Sequence, residues 1–72
     1  MNNIEERALK ESALSIIKGA EEIKEKDSDD LLELGRRLGY IEALSRMQGV
    51  ILSFGLELDD YGLDFDVDEK FA

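Results

Sequence analysis

The stretch Lys24-Glu25-Lys26-Asp27-Ser28-Asp29-Asp30-Leu31-Leu32-Glu33-Leu34 decides the fold. Residues 27–30 are the single strong break in a chain that has no proline, and their short polar side chains favour caps and turns over helix interior. Upstream of it, Leu9, Ala13, Ile16, Ile17, Ala20 and Ile23 recur at spacings of three and four, which places them on one face of a helix over about 3–26. Asn2 or Asn3 suits the start of that helix, with Glu5 or Glu6 supplying the reciprocal capping contact, while Lys24 and Lys26 complement the dipole in its last turn.

Downstream, Ser28 or Asp29 is the expected cap of a second helix over about 29–56. Its apolar positions are Leu31, Leu34, Leu38, Ile41, Leu44, Met47, Ile51, Phe54 and Leu58. Within the same helix Tyr40, Leu44, Met47, Ile51, Phe54 and Leu58 alternate steps of four and three, the step of a packed helical seam. Gly55 is a candidate left-handed stop. A break this short brings two helices back antiparallel, so the expected fold is all-α: a helical hairpin over residues 1–58, followed by residues 59–72 as an acidic tail.

The glycines ask for a reason, because each one inside a helix costs about 1 kcal/mol relative to alanine. Gly35, Gly39 and Ala43 are spaced by four, and Ala8, Ser12, Ser15 and Gly19 step along the first helix. Two stripes of small residues predict close approach of backbones. Two helices with apolar arcs as broad as that from Leu31 to Phe54 cannot cover each other fully. The expected remedy is a homodimer, two hairpins forming a four-helix bundle with Gly35, Gly39, Leu44, Met47, Ile51 and Phe54 in its packing.

A chain of 72 residues buries only about 60% of its unfolded surface. It has neither histidine nor cysteine, which removes the usual zinc, haem and iron–sulfur ligands and any disulfide, so no metal and no cofactor is expected. The net charge of −9 disfavours direct contact with nucleic acid or an anionic membrane. No apolar run approaches the roughly 18 residues of a membrane span, and the acidic start lacks the features of a secretory signal, so a cytoplasmic location is expected. Several bases sit one turn after an acid (Glu6 with Lys10, Glu22 with Lys26, Glu33 with Arg37, Glu42 with Arg46), which suits a solvated helix surface.

Charge is unevenly placed. Residues 57–72 carry Glu57, Asp59, Asp60, Asp64, Asp66, Asp68 and Glu69 against Lys70 alone, a balance of −6. Among these acids stand Tyr61, Leu63, Phe65, Val67 and Phe71. Strict alternation from Leu63 to Asp68 reads as an extended segment with apolar residues on one side and carboxylates on the other. As a calcium loop it fails, because Glu69 stands where the sixth position needs glycine. The tail is expected to pack back on the hairpin, with Tyr61-Gly62 as the turn, since a domain this small needs those five side chains in its core.

No constellation for nucleophilic or acid–base catalysis is visible, so the chain is expected not to be an enzyme. The reading that remains is a small adaptor, regulator or inhibitor acting on another protein by contact. Tyr61, Asp64, Phe65, Asp66 and Asp68, with Arg36 and Arg37 as a smaller surface, are the candidate partner-binding residues. The rival reading is an acidic mimic of nucleic acid, of the kind phages and mobile elements encode, blocking a DNA- or RNA-handling enzyme. Three aspartates at the roughly 6.6 Å repeat of an extended chain give a sparse imitation of duplex charge, and it would need help from the helix acids Glu21, Glu22, Glu25, Asp27, Asp29 and Asp30 of one or both subunits.

Overall fold

Helix α1 runs Asn3–Lys26 and helix α2 runs Leu31–Ser53 in the computed structural model, which describes residues 3–26 and 29–72. The first span agrees with the periodicity of its apolar residues. Met1, Asn2, Asp27 and Ser28 lie outside the described residues, and with them the capping roles expected of Asn2 and Ser28. The observed cap of α2 is Asp30, one residue beyond the expected Asp29: its carboxylate accepts from the Leu32 backbone N–H at 2.8 Å. Helix α2 also stops short of residue 56. Phe54 leaves helical geometry, Gly55 takes a left-handed φ of 75°, and the Gly55 and Leu56 N–H groups donate to the Leu52 and Ile51 carbonyls at 3.0 and 3.1 Å. This paired closure satisfies the last carbonyls of the helix, and only glycine enters it without strain.

The two helices return antiparallel, as contacts at both ends of the turn show. The Lys26 ammonium reaches Glu33 at 3.6 Å across the break, and further along, Tyr40 of α2 lies on Gly19 of α1. Gly19 is where close approach occurs. A Cβ built there would lie 2.5 Å from the Tyr40 hydroxyl oxygen and 2.7 Å from Cζ. Gly35 and Gly39 differ from expectation, since a Cβ on either meets nothing within 4 Å. The stripes of small residues therefore do not face each other inside the hairpin; a single glycine on α1 receives a large ring from α2.

Residues 54–72 form the third side of the core. A 3-10 turn over Leu58–Tyr61 ends at Gly62, again left-handed at φ 71°, and a short helix α3 spans Val67–Phe71. No strand occurs among the described residues. The alternation from Leu63 to Asp68 is thus broken by α3, because the Asp66 carboxylate accepts from the Glu69 N–H at 3.0 Å and caps a helix there. This strap runs back along the hairpin. Tyr61 sits near the start of α1, where Lys10 Nζ lies 5.9 Å from its ring centre, and Phe71 sits near the turn end, beside Arg37. The result measures 42 × 20 × 15 Å.

One core joins the three sides. Ala13, Ile17 and Ala20 of α1, Ile41, Leu44 and Ile51 of α2, and Tyr61, Leu63, Val67 and Phe71 of the strap are buried together. The largest fully buried side chains are Phe71, Leu44 and Leu63. Burying a side chain of that size stabilises by roughly 1.5–3 kcal/mol, so the strap supplies a share of the core that a two-helix hairpin lacks. No helix among the described residues is long and apolar enough to cross a membrane.

Candidate functional site

Two surfaces stand out, and both follow from how the strap is laid. Besides burying the strap's apolar side chains, the hairpin donates hydrogen bonds to the strap's main chain. Gln48 Nε2 donates to the Leu63 and Phe65 carbonyls at 2.9 and 2.8 Å. Arg37 donates through Nε to the Phe71 carbonyl at 2.6 Å and through Nη2 to the Ala72 carbonyl oxygen at 3.2 Å, while Lys24 Nζ donates to the Lys70 carbonyl. Carbonyls that α3 is too short to satisfy internally thus find charged donors on both long helices.

With Tyr61, Leu63, Val67 and Phe71 turned inward, the strap turns its carboxylates outward. Glu57, Asp59, Asp60, Asp64, Asp66, Asp68 and Glu69 are all exposed. Asp66 is committed as the cap of α3, which leaves Asp64 and Asp68 as the freer members of the expected aspartate file. No group of three or more carboxylates among the described residues is arranged to hold a metal ion.

The aromatic candidates are turned toward the protein's own core. Tyr61 is buried. Phe65 is half-buried, edge-on to Phe71 with ring centres 5.9 Å apart, and Lys70 Nζ stands 4.8 Å from the Phe65 ring centre. These groups complete the protein's own core. Of the two arginines, Arg37 is engaged by the strap, and Arg36 pairs with Glu33 at 3.7 Å from an exposed position. Glu42 and Arg46 do form the expected pair, at 3.0 Å, as do Glu6 and Lys10 at 3.3 Å. Such exposed pairs contribute at most about 1 kcal/mol each.

The second surface lies on α2. Leu44 and Ile51 face the core with Met47 packed against it, whereas Phe54 is 76% exposed beyond the helix end. Nearer the turn, Leu31, Leu32 and Leu38 are exposed at 84%, 71% and 65%, and Leu34 at 38%. The strap is held to α2 at Arg37 and Gln48, and round the helix from those two positions lie Leu31, Leu32 and Leu38. Gly35 sits among them with open space above its backbone.

Reasoning from the sequence did not single out Gln48 and gave Lys24 only a place in the last turn of α1, and nothing in their spacing marks either as a partner of the strap. α3 did have a signal: Asp66 stands three residues before Glu69, the spacing of a helix start. Comparison with known proteins adds no guide, because no family, curated protein or solved structure matches the chain.

Proposed function

We propose that this chain is a non-catalytic binding protein, an adaptor, regulator or inhibitor that acts by apolar contact with another protein surface and is itself a homodimer. The observation that supports this reading is the row of leucines at the start of α2. The chain has a strap that covers one side of its hairpin, yet Leu31, Leu32 and Leu38 stay in water. Each buried leucine is worth about 1.5–3 kcal/mol, enough in sum to drive association once its costs are met.

A second reading, the acidic mimic of nucleic acid, draws on a different observation: the carboxylates of residues 57–69 are exposed on a segment whose apolar residues are anchored, so the charge is displayed at fixed positions. Salt separates the two. Affinity purification from the native cell, washed at low and then high ionic strength, tests both. A partner retained at high salt and lost with Leu31→Glu/Leu38→Glu supports the apolar contact. A partner released by salt and lost with Asp64→Asn/Asp68→Asn refutes it in favour of mimicry.

A further inference from the structure

We draw no further inference here: the strongest candidate, the exposed apolar face at the start of α2 formed by Leu31, Leu32 and Leu38, carries nothing beyond the contact reading already given, because nothing in the structure shows what covers it.

Discussion

Replacing Gly19 by alanine should destabilise the protein, although alanine is the better helix former and the same change elsewhere in these helices should stabilise it. Gly49 is the reference: it lies inside α2, and a Cβ there meets nothing within 4 Å, so Gly49→Ala should gain about 0.5–1 kcal/mol from helix propensity and a less free unfolded chain. For 72 residues the unfolding entropy is about 150 cal/mol/K, which makes that gain a rise of roughly 3–7 °C in Tm. At Gly19 the same gain is opposed by the Tyr40 ring, whose Oη, Cζ and Cε1 atoms would stand 2.5, 2.7 and 2.8 Å from the new carbon. Ordinary contact begins near 3.4 Å, so the ring must retreat by close to 1 Å, and overpacking of that kind costs about 1–3 kcal/mol. The net expectation is a loss of up to about 2 kcal/mol. Urea denaturation followed by circular dichroism measures it, and the double substitution supplies the control. In a Tyr40→Leu background the clash is gone, so Gly19→Ala should become stabilising, with a coupling energy of at least about 1 kcal/mol between the two sites. If Gly19→Ala stabilises as much as Gly49→Ala in the wild-type background, Tyr40 does not rest on Gly19 and the pairing register of the hairpin is wrong.

Other outcomes follow from the strap. Phe71→Ala removes a fully buried ring and should cost about 3–5 kcal/mol, seen as a large fall in the denaturation midpoint or loss of the folded state. Gln48→Leu leaves the Leu63 and Phe65 carbonyls without their donor and should cost about 1–3 kcal/mol, with faster amide hydrogen exchange confined mainly to the strap. Asp66→Ala removes the cap of α3 and should cost about 1 kcal/mol, whereas Asp64→Asn, at an exposed position with no capping role, should change stability by less than about 0.5 kcal/mol; the same denaturation experiment compares them.

Most of the long-helix architecture was legible because it rests on local pattern. The spacing from Leu9 to Ile23 defines α1 to its observed ends, and the acidic break defines the turn. The ends of α2 were less visible, since a 3.6-residue pattern runs through Phe54 and Leu58 while the backbone leaves the helix at Gly55. Which of two apolar stripes on α2 faces inward is set by tertiary pairing with Gly19 and the strap, not by either stripe's own composition. For the same reason Gly35 and Gly39, equal in spacing to a packing motif, lie open in the single chain. The strap misled by period. Alternate residues suggested an extended segment, yet Leu63, Val67 and Phe71, four apart, are the buried set, and the Asp66 cap turns the second half helical. The contacts of Gln48 and Lys24 bridge distant parts of the chain, and no local pattern encodes such pairings.

The grip on the strap has a consequence for how this protein can change. Gln48, Arg37 and Lys24 bind backbone oxygens, which every amino acid presents alike, and only Tyr61, Leu63, Val67 and Phe71 are buried within the segment. The outward positions, Asp59, Asp60, Asp64 and Asp68 among them, are thereby uncoupled from the framework that supports them. Substitution can rewrite that outer surface, reversing its charge or making it apolar, while the same three donors and four anchors keep the chain in place, so the scaffold is suited to acquiring new recognition without having to relearn how to fold.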